Sequence, residues 1–345
     1  MSMKIGVLTG GGDVPGLNAA IRAVARRAFE YGYEMRAIKN GWAGLVEGNI
    51  VPLTRSAVSG ILHVGGTILG ASRTNPFKDK ALVQASLDNV KEFELDAIVA
   101  IGGEDTLGVA TRFSELGVPV IGVPKTMDND VRGTDYCIGF DTAVTTVADA
   151  LDKLHTTASA HHRAIVVEVM GRHAGWVAVV GGLTGGADYI LIPEVEDSIE
   201  AVCEHVHKRW QRGSTFSIIV VSEGARVREV VYSEEELGEK DEFGHVRLDR
   251  RGIGETISRE IETRTGFESR CVVLGHLQRG GSPTVFDRLL ATRLGVRAAD
   301  MVKEGRFGYM AALQGNKVVE VPLKEATSGI KTVDLELYKL AQIFY

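Results

Sequence analysis

Short apolar segments rich in Val and Ile recur along this chain and alternate with longer segments of helical spacing. These strand candidates lie at 4–9, 96–101, 118–123, 164–169, 187–192, 216–222 and 270–275. Strands that alternate with helices in this way are typical of parallel α/β architecture. All except 187–192 run at their carboxyl end into a loop dense in Gly or charge. Because ligands bind at that edge of an open α/β sheet, we expect the functional site to be assembled from those loops.

Helices are predicted between the strands, where apolar residues recur every three or four positions. The clearest sets are Leu17, Ile21, Val24, Ala28 and Val144, Val147, Leu151, Leu154. The pattern breaks between Arg226 and Arg251 into a charged segment, which we interpret as a solvated, mobile surface excursion. No internal repeat and no low-complexity linker is visible, so two domains in this chain are expected to be interleaved.

The composition excludes several classes of protein. The chain has 345 residues, of which 41 are Gly, well above the usual proportion of about 7%. Its net charge of −6 argues against a general nucleic-acid-binding or anionic-membrane surface. Its three cysteines are widely spaced, which indicates neither a disulfide framework nor a zinc site. No secretory signal or long apolar segment is present, so we expect a soluble cytoplasmic protein.

Three loops follow the strands of the amino-terminal half. The loop 10–13 is glycine-rich, so its backbone N–H groups can approach a phosphate closely, although it matches no standard nucleotide motif. The loop 102–106 brings two carboxylates to a helix start, with Thr106 available as an N-cap; the carboxylates either interact with the helix dipole or bind Mg²⁺. The loop 124–130 combines a lysine, a hydroxyl group and a candidate general base, which favours catalysis.

Two further loops add cations at the same expected edge. The loop 170–175 places Arg172 next to Gly171, and the loop 275–283 offers His276 and Arg279, a pair suited to a phosphate monoester. Glycine loops, carboxylates and cations together indicate a phosphoryl-transfer site. The sequence has no Ser-His-Asp elbow and no HExxH motif, which disfavours hydrolytic and zinc chemistry.

Taken in order, these motifs resemble those of the 6-phosphofructokinase family. The matching segments are 9–18, 102–105, 124–130, 169–172, 222–224 and 275–283. NAD kinases and lipid kinases share the GG(D/E)xT element but lack the PxTxDND and GHxQRGGSP loops. The resemblance implies an α/β fold of two interleaved Rossmann-like domains with mostly parallel sheets. Residues 1–140 plus about 278–328 would bind the phosphoryl donor, and 141–277 plus about 329–345 the sugar phosphate, which is held in the cleft.

The resemblance also implies roles for individual residues. Asp128 looks like the base that takes the proton from the 1-hydroxyl of fructose 6-phosphate, with Thr126 and Asp130 flanking it. Arg172 and Lys125 complete the implied catalytic set. Substrate contacts are implied for Thr126, Met127, Asp128, Met170, Gly171, Arg172, Glu223, His276, Leu277, Gln278 and Arg279. Arg163 and Arg270 match positions that a neighbouring subunit contributes, so a homodimer or homotetramer is expected.

On the donor side, the resemblance implies contacts from Gly12, Arg73, Asp105 and Lys125, and a Mg²⁺ ligand at Glu104, where many members have Asp. ATP-using members commonly have glycine at the positions of Asp105 and Lys125. Here the Asp105 carboxylate would repel the α-phosphate of ATP, and Lys125 can contact the leaving phosphate. We therefore expect inorganic diphosphate as donor, in a reversible reaction that serves glycolysis or gluconeogenesis. An ATP-dependent enzyme and a non-catalytic sugar-phosphate sensor are the alternatives.

Overall fold

The computed structural model describes residues 2–230, 243–244 and 252–345, so most of the 226–251 excursion lies outside the described residues. The chain forms two compact units. Unit 1 comprises Met1–Thr142 and Arg279–Ile330, and unit 2 comprises Ala143–Gln278 and Lys331–Tyr345. Because the chain leaves unit 1, returns to it and leaves it again, the two units are interleaved along the sequence.

The described residues contain eleven strands. In chain order they are β1 (Lys4–Thr9), β2 (Glu34–Ile38), β3 (Ile50–Pro52), β4 (Ala97–Gly102), β5 (Val120–Pro124), β6 (Ala164–Val169), β7 (Tyr189–Leu191), β8 (Ser217–Ser222), β9 (Ser269–Val273), β10 (Tyr309–Gln314) and β11 (Lys317–Pro322). The strand predictions are confirmed, with ends displaced by no more than two residues. The sequence pattern does not predict β2, β3, β10 and β11.

Helices connect most of these strands. Within the described ranges they are α1 (Leu17–Glu30), α2 (Trp42–Glu47), α3 (Lys80–Glu92), α4 (Glu104–Glu115), α5 (Phe140–His161), α6 (Trp176–Thr184), α7 (Ile199–Gln211), α8 (Ile253–Thr265), α9 (Val285–Lys303), α10 (Leu323–Ala326) and α11 (Leu335–Gln342). Short 3₁₀ helices lie at Pro76–Lys78 and Gly275–Arg279. The predicted apolar face of α1 is buried. In the part of the chain that the structure describes, no helix is both long and apolar enough to cross a membrane.

Unit 1 is built on a seven-stranded sheet, counted over its described residues, with the order β11-β10-β5-β4-β1-β2-β3. Strands β2, β1, β4 and β5 are mutually parallel, and β10 is parallel to β5. Only the outermost described strands, β3 and β11, pair antiparallel. Strands β1, β4 and β5 are almost wholly buried, as their continuous apolar sequences require. Their carboxyl ends therefore bring the first three loops to one edge.

Unit 2 has a smaller sheet with the order β7-β8-β6-β9 among its described strands, and every pair is parallel. One core cluster of the unit lies between this sheet and helices α7 and α8. Val166 of β6 and Val221 of β8 pack there with Val202 of α7 and Ile257 of α8. As in unit 1, the parallel strands place the loops that follow β6 and β8 at a common edge.

In unit 1, the beginnings of α5 and α9 are joined by side-chain hydrogen bonds. Asp287 of α9 is fully buried and accepts from the N–H groups of Gly139 and Thr142, each at 2.8 Å, and from Thr142 Oγ1 at 2.6 Å. Thr284 Oγ1 in turn donates to Asp141 Oδ2 at 2.6 Å. These bonds satisfy N–H groups that a helix leaves open at its start. Burial raises the pKa of Asp287 to about 6.

Candidate active site

The first loop of unit 1 is a tight glycine turn between β1 and α1. Gly10 N donates to Ile101 O and Gly11 N donates to Ser72 O, both at 3.0 Å. A Cβ atom on Gly10 would lie 2.5 Å from Thr106 Oγ1, and one on Gly12 would meet the guanidinium of Arg279. Lack of space therefore favours glycine at position 10, whereas at position 12 the flexible end of Arg279 can move aside.

The second loop leads directly into α4. Gly103 occupies the N-cap position, and Glu104 and Asp105 form the first turn, half-buried, where the helix dipole favours carboxylates. The expectation that Thr106 caps this helix is wrong, because Thr106 lies inside the first turn. Its side chain is buried and fills the space beside Gly10 instead. The two carboxylates thus stand at the helix start, next to the glycine loop.

The third loop follows β5 and is held by its asparagine. Asn129 has a left-handed backbone (φ 51°) and is buried; its Nδ2 donates to Asp135 O at 3.1 Å, and its Oδ1 accepts from Cys137 N at 2.9 Å. The N–H of Asp128 donates to Thr126 Oγ1 at 3.1 Å. The carboxylate oxygen Oδ1 of Asp128 is shielded from solvent. The sequence motifs do not predict this anchoring role of Asn129. Asparagine tolerates a positive φ better than most residues, so its presence in the loop could have indicated a turn here.

Lys125 joins the first and third loops. Its side chain is buried, and its Nζ donates to Gly10 O at 2.9 Å and to Gly12 O at 2.6 Å. Burial, together with the positive charge of Arg279, lowers the pKa of Lys125 to about 7, and Asp13 opposes the shift. Arg279 Nη1 also reaches the loop and donates to Asp13 O at 3.3 Å. Two cations therefore contact carbonyl oxygens of the glycine loop.

A pocket of about 460 Å³ opens beside this loop within unit 1. Its lining residues are Gly11, Gly12, Asp13, Thr67, Ala71, Ser72 and Arg73. The structure thus brings together Gly12 and Arg73, two of the predicted donor-binding residues that lie far apart in the sequence. Thr67 and Ser72 are lining residues that the motifs do not indicate. Backbone amides and an arginine suit an anionic ligand such as a phosphate.

In unit 2, the loops after β6 and β8 are bonded to each other. Ser222 Oγ donates to Gly171 O at 2.5 Å, and Gly224 N donates to the same oxygen at 3.1 Å. Gly171 has φ 142° and no space for a Cβ atom, because Ser222 Oγ would lie 2.5 Å away. The half-buried side chains of Met170, Arg172 and Glu223 flank this junction. Met127, another predicted substrate-binding residue, belongs to unit 1 and is buried.

The loop around the second 3₁₀ helix crosses the boundary between the units. His276 and Leu277 are exposed, Leu277 by 70%, whereas Gln278 is fully buried. Gln278 Oε1 accepts from Met170 N at 3.4 Å, and its Nε2 donates to Gly275 O at 3.1 Å. These three residues belong to unit 2, and Arg279 belongs to unit 1. Gln278 thus supports the Met170 loop from within unit 2.

Arg163 and Arg270, the predicted intersubunit residues, converge on one carboxylate in unit 2. Glu268 Oε1 lies 3.3 Å from Arg163 Nη2 and 2.6 Å from Arg270 Nη2. Arg270 also lies 3.7 Å from Glu262 and is more exposed than Arg163. The side chains are therefore held next to each other as a paired cationic group. Glu268 is a residue that the motif comparison does not indicate.

The donor set is compatible with a magnesium ion that arrives with a phosphate ligand. Among the described residues, no three His, Cys, Asp or Glu side chains are grouped as a metal cage. Mg²⁺ usually keeps several waters and takes one or two carboxylates together with substrate phosphates. Glu104, half-buried at the start of α4, offers such a carboxylate, so the residues present fit the ion in that form.

Comparison with known proteins accounts for this combination of loops. A family model described as phosphofructokinase matches residues 4–302. The chain belongs to the phosphofructokinase family. It is 54% identical over 347 residues to the pyrophosphate–fructose 6-phosphate 1-phosphotransferase of Streptomyces coelicolor, covering 99% of this chain and 100% of that relative. The ATP-dependent 6-phosphofructokinase of Corynebacterium efficiens is 46% identical over 346 residues, with 100% and 99% coverage.

The family fold is also found among solved structures. A phosphofructokinase from Pichia pastoris in the T-state has a TM-score of 0.84 and 30% sequence identity. The likeness covers all of this chain, which spans 36% of that protein's chain. The predicted α/β fold with two interleaved Rossmann-like domains is therefore confirmed as a phosphofructokinase fold.

Proposed function

We propose that this chain is a diphosphate-dependent 6-phosphofructokinase. It transfers a phosphoryl group from inorganic diphosphate to the 1-hydroxyl of fructose 6-phosphate, giving fructose 1,6-bisphosphate and orthophosphate. The observation that carries the proposal is the glycine-loop pocket of unit 1, whose loop accepts hydrogen bonds from Lys125. Lys125 and Asp105, at the start of α4, stand where ATP-using members commonly have glycine.

The transfer step requires a base and an aligned donor. Asp128 takes the proton from the 1-hydroxyl as its oxygen attacks the terminal phosphorus of diphosphate. The bond between that phosphorus and the bridging oxygen breaks, and orthophosphate leaves with the bonding electron pair. Thr126 and Asn129 fix the backbone on either side of Asp128, so the base is oriented before the substrate arrives.

Charge neutralisation is the main work of the donor pocket, because diphosphate and the transferring group are both anionic. Arg73 lines the pocket, and Lys125 donates a hydrogen bond to Gly10 O of the glycine loop beside it. Glu104 would hold Mg²⁺, directly or through water. Asp130, which flanks Asp128, would adjust the electrostatic field at that base. When bound, the ion supplies further electrostatic stabilisation of the phosphoryl oxygens.

Asp105 and Lys125 distinguish the two possible donors. The α-phosphate of ATP would meet the Asp105 carboxylate, whereas diphosphate has no group there. The free energy released when diphosphate donates its phosphoryl group is smaller than that released when ATP does. The reaction therefore runs in both directions, and the enzyme serves glycolysis or gluconeogenesis in the cytoplasm.

The sugar phosphate is bound by the unit 2 loops. Met170, Gly171 and Arg172 line the sugar, Glu223 binds its hydroxyl groups, and His276 and Arg279 hold its 6-phosphate. Leu277 and Gln278 add further substrate contacts. Arg163 and Arg270 act on the site of a neighbouring subunit in a homodimer or homotetramer. Their shared ion pair with Glu268 holds the two guanidinium groups next to each other, an arrangement that suits an anionic phosphate.

The decisive experiment compares steady-state rates with diphosphate and with ATP at saturating fructose 6-phosphate and Mg²⁺. We expect a much higher kcat/KM with diphosphate. Asp105→Gly should increase use of ATP, and Asp105→Asn, which removes the charge but not the volume, separates repulsion from steric exclusion. A higher kcat/KM with ATP in the unmodified enzyme would overturn the donor assignment. No turnover with either donor would support the sugar-phosphate sensor.

A further inference from the structure

Lys125 occupies an unusual position for a residue expected to contact a phosphate. It follows β5 directly, and its N–H donates to Gly102 O at 3.0 Å. Its side chain is only 2% exposed and passes behind the glycine loop, where two carbonyl oxygens accept from its Nζ. An ammonium group has three N–H donors. Two of the three are therefore directed to the backbone of the loop.

These two bonds determine how the peptide groups of the loop are oriented. The C=O and N–H of one trans peptide point in opposite directions. With Gly10 O turned toward Lys125, the N–H of Gly11 points away from it and donates to Ser72 O at 3.0 Å. With Gly12 O turned toward Lys125, the N–H of Asp13 likewise points away. The lysine thus sets the direction of the N–H groups of Gly11 and Asp13, two of the residues that line the pocket.

The carbonyl oxygens themselves would harm donor binding if they were free to rotate. Each carries a partial negative charge, and a flipped Gly10 or Gly12 peptide would present that charge to an anionic ligand. The Gly10 peptide is also held by the bond from Gly11 N–H to Ser72 O, but at the Gly12 peptide the glycines 10–12 offer no side chain that would prevent a flip. Arg279 makes a similar contact one residue further on, at Asp13 O.

We infer that Lys125 is a positioning residue for diphosphate, which holds the Gly10 and Gly12 carbonyls behind the loop so that their oxygens face away from the donor and the N–H of Asp13 stays available to it. The inference rests on the proposed function in one respect, that the donor occupies the pocket beside Gly11 and Gly12. On this view, Lys125 promotes diphosphate binding by fixing the conformation of the loop in the ligand-free enzyme, in addition to any contribution of its charge once diphosphate is bound.

The test is amide hydrogen exchange of the ligand-free enzyme, followed in peptides that cover residues 9–14. In Lys125→Met, which keeps the length of the side chain but donates no hydrogen bond, we expect exchange about tenfold faster than in the parent. Lys125→Gln, which retains an N–H₂ donor, should lie between the two. Both variants should raise the KM for diphosphate.

Arg73→Met is the matched control. Arg73 lines the same pocket, but in the described structure neither the Gly10 nor the Gly12 carbonyl accepts from it. Its replacement should raise the KM for diphosphate and leave exchange of residues 9–14 within twofold of the parent. If Lys125→Met raises KM but leaves exchange unchanged, the inference is overturned. Should Lys125→Met not fold, the same two measurements on Lys125→Gln decide. Because no donor is present, a failed donor assignment leaves the exchange result interpretable.

Discussion

Replacing Gly10 with alanine tests the packing that shapes the glycine loop. The added Cβ would lie 2.5 Å from Thr106 Oγ1, 2.8 Å from Cγ2 and 3.2 Å from Cβ of the same residue. Thr106 is 3% exposed, and its carbonyl accepts from Trp42 Nε1, so it has little room to move. Overpacking of this kind costs about 1–3 kcal/mol. The reduced entropy of the unfolded chain offsets roughly 0.4–1 kcal/mol of that cost.

The net loss is therefore roughly 0–2.6 kcal/mol, and the contact below 3 Å with a buried side chain favours the middle of that range. A loss of about 1–2 kcal/mol lowers the unfolding midpoint by about 2–8 °C for a unit of this size. Thermal unfolding followed by circular dichroism measures the shift. Gly12→Ala is the control, because its Cβ meets only the flexible end of Arg279; its midpoint should stay at or slightly above that of the parent. Thr106→Ala combined with Gly10→Ala should recover at least half of the loss. A Gly10→Ala protein that melts no lower than the parent would refute the reasoning.

Three further outcomes are expected. Asp128→Ser should lower kcat by about 10²–10⁴-fold while fructose 6-phosphate still binds, measured by steady-state kinetics and calorimetry; near-normal turnover would remove Asp128 from the role of base. Mixed chains carrying Asp128→Ser and Arg163→Ala should regain activity if Arg163 serves a neighbouring site, and verified hetero-oligomers without activity would exclude that role. Asp287→Asn should cost about 2–4 kcal/mol, because its amide N–H₂ faces donors from Gly139 or Thr142. Since the pKa of Asp287 is raised to about 6 from 3.8, its proton-linked contribution is fully present below pH 3.8 and declines as pH rises through 6; the variant should lack this decline in urea unfolding.

The central strands of both sheets could be predicted because each is a continuous Val- and Ile-rich segment, buried on both faces. Strand β2 begins Glu34-Met35-Arg36 and carries no such run, and β3 has only three residues. The hairpin β10–β11 lies at the edge of its sheet, where one strand is partly exposed. Among the described strands, the pattern thus misses the two edge strands, β3 and β11, and the strands β2 and β10 that pair with them.

In the candidate site, the residue types and their loops could be predicted, but contacts between distant segments could not. Lys125 and Gly10 are 115 positions apart, and nothing in the local sequence shows that the lysine reaches a carbonyl oxygen. The prediction that Thr106 caps α4 is wrong because the local sequence does not fix where the helix begins. Two carboxylates before it are better placed in the first helical turn, which moves the N-cap back to Gly103 and turns Thr106 toward the glycine loop.

The bonds between the starts of α5 and α9 have a consequence for the chain as a polymer. The chain leaves unit 1 after Thr142 and re-enters it at Arg279. The hydrogen bonds of Asp287 and Thr284 hold these two points of the chain close together. A long segment whose ends are already fixed side by side is, for unit 1, an insertion in a closed loop, and its length adds only slowly to the entropy of folding. A change in the length of that segment therefore costs unit 1 little stability, and the seven-stranded sheet keeps its connectivity.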